Sequence, residues 1–322
     1  MLTAVYGSLE SGLIYAIMAL GVYLSFRILD FPDLTVDGSF VTGAAVAAVL
    51  ITGGMHPITA TVIAFFAGFL AGAVTGLLHT KGKINPLLSG ILMMIALYSI
   101  NLRIMGKSNV PLLQQETLFS KLADAWATLD QIMLSVISPS PKTWSVIFSM
   151  LLLVIVIKII LDYFLKTEIG LALRAVGDNE EMIKSFSANT DTLKVLGLGL
   201  SNAFVALSGA LIAQYNGFSD IGMGIGMIVI GLASVIIGEA VVGSKTIVRA
   251  TLAVIIGAIL YRLIVAFALR FNFFETGDLK LITACIVVLS LTIPRYFEKY
   301  REKKRKSARK RWDQIASTKT HL

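Results

Sequence analysis

The sequence predicts an all-α polytopic membrane protein with about nine transmembrane helices. Hydrophobic residues make up 56% of its 322 positions, whereas charged residues make up 15%. Soluble domains carry roughly 25% charged residues, so this chain has too few to cover a water-facing surface. The mean hydropathy of +0.80 points the same way. The composition excludes a soluble enzyme, a disordered scaffold and a disulfide-stapled secreted domain.

Nine apolar stretches have, or nearly have, the length that a spanning helix needs, which is about 20 residues. The predicted spans are 9–28, 36–53, 57–79, 86–105, 143–165, 193–215, 222–242, 247–269 and 279–294. The second and the ninth are short or interrupted. We therefore divide the chain into a membrane domain, residues 1–294, and a basic tail, residues 295–322.

A ladder of small residues lies on the third span. Gly68, Gly72 and Gly76 follow one another at four-residue spacing, which places them on one face of a helix. Small residues at this spacing let another helix backbone approach closely. We expect a helix-packing face here.

The distribution of Lys and Arg predicts the orientation in the membrane. Residues 295–311 contain ten basic and two acidic side chains, which supply the whole net charge of +8. Cytoplasmic segments are enriched in Lys and Arg, so the tail is expected in the cytoplasm. Nine crossings then put the N-terminus outside, together with the long loop 106–142. The charge gives no reason to expect nucleic acid as a partner, and anionic lipid suits the tail best.

Residues 167–194 form an unusually long inner loop with the pattern of a short amphipathic helix. Asp178 followed by Glu181 is typical of a helix start, with an N-cap acceptor and an acid three residues later. Met182, Ile183 and Phe186 then fall on one face. That apolar face would either receive a soluble partner or rest on the bilayer or on the protein's own helices.

The chain carries no motif for ATP binding or covalent chemistry. A Walker A loop needs Gly-x-x-x-x-Gly-Lys-Ser/Thr after a strand. The nearest match, from Gly238 to Gly243, has one residue too many before Lys245 and lies at the end of a span. Three histidines and the single cysteine, Cys285, argue against a His/Cys metal site. We expect no enzyme activity, no metal and no cofactor, so energy would come from a partner or an ion gradient.

Four polar residues in or beside the spans are candidates for a substrate pathway. Asp33 and Asp37 lie where Pro32 breaks the helix, and broken helices at membrane depth are tolerated where they line a cavity. The alternative is a short cytoplasmic turn with solvated carboxylates. Asn202 could hydrogen-bond a substrate or simply join two helices. Arg262 could meet a substrate carboxylate, or it could snorkel or pair with another helix.

Several short motifs occur in order along residues 11–294. They are Gly12–Gly21, Asp33-Leu-Thr-Val-Asp-Gly-Ser39, Lys81–Pro86, and the stretches 167–170, 174–180 and 189–194. Together they resemble the membrane-spanning permeases of bacterial ABC importers in the branched-chain amino acid and ribose permease group. The inner-loop stretches are the most specific part. The insertion of Asp37 before Gly38 departs from the usual motif of that group.

The resemblance implies a permease subunit that forms the translocation pathway for a small polar solute. An amino acid, with aromatic amino acids among the candidates, is favoured over a sugar or a nucleoside. The chain would lie in the bacterial cytoplasmic membrane as a multi-pass protein. Two other classes stay open: a gradient-driven secondary transporter, and a membrane anchor or receptor subunit without a pathway.

The resemblance also implies partners. They are a dimer of ABC ATP-binding subunits, a second copy of the permease, and an extracytoplasmic substrate-binding lipoprotein. Segment 167–194 then becomes the cytoplasmic coupling helix region that contacts the ATPase. Its predicted contact residues are Arg174, Asp178, Glu181, Met182, Ile183 and Phe186. Contact with the ATPase is the alternative to lipid binding for the basic tail.

Overall fold

The computed structural model describes residues 2–127, 144–185 and 189–268, together with residues 281, 284, 285, 288 and 292. The helices of the three long ranges are α1 (Leu2–Tyr23), α2 (Thr35–Thr52), α3 (Pro57–Thr80), α4 (Pro86–Met105), α5 (Leu118–Ala125), α6 (Ser145–Phe164), α7 (Glu168–Asp178), α8 (Glu180–Ser185), α9 (Thr190–Asn216), α10 (Met227–Val242) and α11 (Ile247–Ala268). Helix α1 continues as a π-helical turn, Leu24–Ile28. Seven helices in these ranges are long and apolar enough to cross a bilayer: α1 with its π turn, α2, α3, α4, α6, α9 and α11.

The prediction of the seventh span, 222–242, is wrong at its start. Residues 221–226 form turns, and α10 has only 16 residues, beginning at Met227. At 1.5 Å per residue this helix is about 24 Å long, shorter than the roughly 30 Å hydrocarbon layer. The glycines at 222, 224 and 226 explain the late start, because glycine is a poor helix former.

The described residues are mostly helical, as predicted, and one short β-ribbon accompanies the helices. Strands β1 (Asn109–Pro111) and β2 (Phe218–Asp220) pair antiparallel, with Val110 opposite Ser219. The ribbon pairs the segments that follow the ends of α4 and α9. The ninth predicted span, the basic tail, residues 128–142 of the 106–142 loop and residue 143 lie outside the described residues, except for the five isolated positions.

Helix α9 lies at the centre of the bundle, against α1, α2 and α3. The glycine ladder of α3 faces it, as predicted. A β-carbon on Gly72 would lie 2.2 Å from the carbonyl oxygen of Leu198, and one on Gly68 would lie 2.5 Å from that of Asn202. Helix α4 packs on α2, and α10 and α11 pack on each other and on α1.

The connections between helices gather at two ends of the bundle. The basic end holds residues 29–34, 81–85, 165–185 and 243–246, where Lys194 of α9 reaches His79 of α3 and Arg27 reaches Glu239. The sheet end holds residues 53–56, 106–117 and 217–220, including the two strands.

Candidate functional site

The N-terminus of α10 lies inside the bundle and is capped by an acid from another helix. Asp37 accepts hydrogen bonds from the backbone N–H of Gly226 (2.9 Å) and of Ile228 (2.8 Å). Gly226 has φ 88°, a left-handed conformation that favours glycine. The first N–H groups of a helix lack partners within the helix and carry partial positive charge, so a carboxylate is a strong cap there. The predicted pathway residue Asp37 therefore caps and holds the N-terminus of α10, a helix that begins within the bundle.

The second predicted acid, Asp33, lies in a fully buried polar group that we name the Asp33 cluster (Asp33, Thr35, Thr75 and Asn202). Its carboxylate accepts from Thr35 N at 2.9 Å and from Asn202 Nδ2 at 2.6 Å. The hydroxyl oxygens of Thr35 and Thr75 are 2.8 Å apart. The cluster joins α2, α3 and α9. It brings together Asp33 and Asn202, which the sequence suggested separately.

A cavity of about 460 Å³ opens between α2, α4 and the segment before α10. Its walls are mainly apolar, and its polar members are Asp37, Ser99, Asn101 and Tyr98. The remaining lining residues are Gly38, Val41, Met94, Ile95, Ile221, Gly224 and Ile225. Of the four predicted pathway residues, Asp37 alone belongs to this lining. Sequence reasoning missed Asn101 and Tyr98 of α4. It also missed the break before α10, which the three glycines between 222 and 226 could have indicated.

Arg262, the fourth predicted pathway residue, lies elsewhere in the bundle. Its guanidinium carbon is 4.2 Å from the centre of the Tyr15 ring, a cation–π arrangement. Tyr15 in turn stacks on Phe40, with ring centres 6.0 Å apart. Within the described residues Arg262 therefore contacts α1 and does not belong to the lining of this cavity.

Two ion pairs that the sequence analysis missed lie near the basic end. Arg27 and Glu239 are 2.9 Å apart and connect the π turn to α10. Lys158 pairs with Asp162 within α6, and Asp162 also accepts from Thr251 Oγ1 of α11 at 2.6 Å. The four-residue spacing of Lys158 and Asp162 in an apolar helix was a usable signal, because charges there are expected to be paired.

In its described residues the predicted coupling segment, 167–194, contains α7, α8 and the first turn of α9 rather than one short helix. The α7–α8 unit, residues 167–185, begins at the cap Thr167, whose Oγ1 accepts from Gly170 N at 3.3 Å. Asp178 ends α7, and Asn179 instead caps α8 by accepting from Met182 N at 3.0 Å. The expected N-cap at Asp178 is therefore wrong by one residue. Asn179 takes the role because its side chain, next to the first residue of α8, can reach the free N–H.

The α7–α8 unit is held to the bundle on one side and open on the other. Leu173 and Val176 are buried, and a β-carbon on Gly177 would lie 2.0 Å from the carbonyl oxygen of Ile28. Exposed in this unit are the apolar side chains Ile169, Leu171 and Met182 and the charged side chains Arg174, Asp178 and Glu181. Ile183 is half-buried, and Phe186 lies outside the described residues.

A hydrogen-bonded chain ties α8 to the ends of α9 and α3. Glu180 is 2.7 Å from Lys194 and 3.0 Å from Lys184, and Lys194 Nζ is 3.3 Å from His79 Nε2. His79 Nδ1 lies 2.8 Å from the carbonyl oxygen of Ile84. Partial burial alone raises the pKa of Glu180, but hydrogen bonds from the two lysines outweigh it, so the net pKa is below its ordinary value.

A comparison with known families matches residues 5–291 to the family described as "Branched-chain amino acid transport system / permease component". The "Tyrosine transport system permease protein" of Clostridioides difficile is 46% identical over 290 residues, which cover 90% of this chain and 91% of that protein. An uncharacterised protein of Rickettsia prowazekii is 34% identical over 289 residues, 88% of this chain and 95% of that protein.

A solved structure of an ABC transporter in an inward-facing conformation aligns with 92% of this chain and 85% of its own. The TM-score is 0.48 and the sequence identity is 17%. A similarity of this degree carries no argument about function.

Proposed function

Because this chain belongs to the family of branched-chain amino acid transport permeases, a multi-pass component of the bacterial plasma membrane, we propose that it forms the pathway of an ATP-driven importer for an aromatic amino acid, with tyrosine favoured. The observation that carries this proposal is the 46% identity with the tyrosine permease, which extends over nine-tenths of both chains.

The cavity beside the broken helix α10 supports a pathway in this part of the bundle. Substrate sites of many transporters lie near the middle of the membrane, where discontinuous helices end. Here α10 starts inside the bundle at Met227, and Asp37 lies both at that start and in the cavity wall. The predicted pathway role of Asp37 gains support. Asp33 and Asn202 do not line the cavity, and their proposed role is to hold α2, which does line it, in place.

The α7–α8 unit is the proposed contact with a dimer of ATP-binding subunits. It combines a buried side that packs on the π turn after α1 and on α9 with three exposed apolar side chains, Ile169, Leu171 and Met182. A force applied to such a unit would move whole helices rather than bend a loop, because packed interiors deform little. Closure of the ATPase subunits would then shift groups of helices as rigid bodies.

The other proposed partners are an extracytoplasmic binding lipoprotein, a second permease copy and anionic lipid, and the first and the last depend on the orientation of the chain in the membrane. The basic end carries Lys81, Lys83, Arg174 and Lys245, which supports its placement in the cytoplasm. The sheet end would then face an extracytoplasmic binding lipoprotein. A second permease copy would complete the pathway, and the basic tail would bind anionic lipid of the inner leaflet.

Reconstitution tests this proposal directly. The permease, its cognate ATP-binding subunit and the binding protein are placed in proteoliposomes, and uptake of labelled tyrosine is measured with and without ATP. We expect uptake that needs all three proteins and ATP and that persists when ionophores collapse ion gradients. Uptake by the permease alone would show a secondary transporter, and no uptake of any amino acid would show an anchor or receptor subunit.

A further inference from the structure

The π turn (Leu24–Ile28) packs tightly against the α7–α8 unit. A β-carbon on Gly177 of α7 would lie 2.0 Å from the carbonyl oxygen of Ile28, so no side chain fits between the two backbones there. Leu29, which follows the turn, is buried in one apolar cluster with Leu173 of α7. Because packed interiors deform little, a displacement of the α7–α8 unit displaces the π turn with it.

The π turn is also joined to α10, by the ion pair of Arg27 and Glu239. Arg27 Nε donates to Glu239 Oε1 at 2.9 Å, and the two side chains are 58% and 17% exposed. Among the described residues no other hydrogen bond or ion pair joins the π turn to α10. A carboxylate that is mostly shielded from water is costly to leave unpaired, so the pair holds these two elements together.

Helix α10 is bounded at both ends by glycines in the left-handed conformation. Gly226 precedes its first residue with φ 88°, and Gly243 follows its last residue with φ 85°. A β-carbon at either glycine would meet no atom within 4 Å, so the backbone conformation rather than close packing requires glycine there. In rigid-body movements a few residues at the ends of elements absorb the change in φ and ψ. The 16 residues between these glycines can therefore move as one unit.

The other end of α10 lies at the cavity of about 460 Å³ between α2, α4 and the segment before α10. Asp37, in the cavity wall, accepts from the N–H groups of Gly226 and Ile228 at the helix start. Glu239 comes twelve residues after Met227, which is about 18 Å along the helix at 1.5 Å per residue. A movement applied at Glu239 is therefore carried by a rigid helix to the cavity wall.

We infer that Arg27 and Glu239 are positioning residues for transport, and that their ion pair transmits movement of the α7–α8 unit through α10 to the cavity wall. This inference rests on the proposed function and adds the contact that carries ATP-driven movement to the pathway. Without the pair, α10 still packs on α1 and α11, so the protein folds and the ATPase still turns over. The loss falls on the number of tyrosine molecules taken up per ATP, because α10 follows the π turn less closely.

The test exchanges the two charges in the complex of permease, ATP-binding subunit and binding protein, reconstituted in proteoliposomes. Uptake of labelled tyrosine and hydrolysis of ATP are measured in the same vesicles, and their quotient is the coupling ratio. Arg27→Glu and Glu239→Arg each place like charges face to face, and we expect each to lower the coupling ratio about fivefold. The double exchange restores the attraction and should return the ratio to within about twofold of the wild type.

Controls separate transmission from a structural role, which would lower uptake and ATP hydrolysis in proportion and leave the ratio unchanged. Glu116 and Lys121 form a matched ion pair, 3.2 Å apart, at the sheet end. Exchange of either charge there should leave the ratio within about twofold of the wild type, since that pair lies at the opposite end of the bundle. If a single exchange of the Arg27–Glu239 pair does not assemble, Arg27→Gln and Glu239→Gln remove the attraction without opposing like charges. Each of these should lower the ratio about threefold.

The same vesicles separate this inference from the proposed function. If the wild-type complex takes up tyrosine with ATP, then wild-type coupling ratios in both single exchanges, or a double exchange that recovers nothing, overturn the inference alone. A wild-type complex without ATP-driven uptake of any amino acid overturns the proposed function as well.

Discussion

The Asp33 cluster and the α7–α8 unit both hold charged residues, but they use them differently. In the Asp33 cluster every named side chain is fully buried, and a single carboxylate is bonded by two groups from different parts of the chain. In the α7–α8 unit the pair Lys184–Glu180 has side-chain exposures of 57% and 32%. Buried polar groups are costly to leave unpaired, whereas exposed ion pairs contribute little to stability. The first region therefore stabilises the fold, and the second is free to serve a partner.

The largest expected effect comes from removing the Asp33 carboxylate. Asp33→Ala leaves Thr35 N without its acceptor and takes from Asn202 Nδ2 one of its two acceptors, the other being the carbonyl oxygen of Leu198. We expect a loss of about 3 kcal/mol in the free energy of unfolding. The measurement is denaturant titration of the purified protein in mixed micelles. Asp30→Asn is the control, since Asp30 is exposed and should change stability by less than about 0.5 kcal/mol. Equal effects at the two positions would contradict the contrast drawn above.

Removal of the cap on α10 should cost less. Asp37→Ala takes away the acceptor for two N–H groups at a helix start, which is usually a loss of about 1–2 kcal/mol. Because Asp37 also lines the cavity, ATP-driven tyrosine uptake should fall in Asp37→Asn, which preserves the shape of the side chain. Unchanged uptake by a normally assembled Asp37→Asn complex would reject the pathway role.

At the α7–α8 unit, Glu180→Gln should lower stability by only a few tenths of a kcal/mol. The pKa of Glu180 is lower in the folded protein than its ordinary value of 4.5. Its contribution is therefore fully present above pH 4.5 and is lost as the pH falls through the lowered pKa. Titration of unfolding between pH 6 and pH 3 in the wild type and in Glu180→Gln measures this difference. A stability gap that widens as the pH falls would have the wrong sign.

The smallest effect on stability and the largest effect on coupling are expected from the exposed apolar residues. Met182→Glu should leave unfolding within about 0.5 kcal/mol of the wild type, since the side chain is 46% exposed, but should reduce ATPase stimulation at least about tenfold. The same loss of ATPase stimulation is expected of Phe186→Glu. Leu113→Glu makes the same chemical change at the sheet end, at a residue that is 84% exposed, and should leave stimulation intact. Full ATPase stimulation by both Met182→Glu and Phe186→Glu would show that these residues do not contact the ATP-binding subunit.

Sequence reasoning was most accurate where one property repeats along a continuous stretch. Seven predicted spans coincide with long apolar helices, and the glycine ladder of α3 packs as expected. It failed at Asp178, where one residue decided the cap, and at 222–226, where glycines interrupt an apolar run. The two short strands were out of reach, because three-residue segments carry no usable periodicity.

Apolar length, glycine spacing and the placement of Lys and Arg were sufficient to identify a multi-span membrane protein, and the resemblance to a permease family came separately from the short motifs. These properties act locally. Each residue contacts lipid or the next turn of its own helix, and these contacts do not depend on how distant parts of the chain fold. The partners of the acids could come only from the folded structure. Asp33 meets Asn202 and Asp37 meets Gly226 across separations of 169 and 189 residues. In a dry interior a carboxylate needs donors, and helix packing alone determines which donors are near enough to bind.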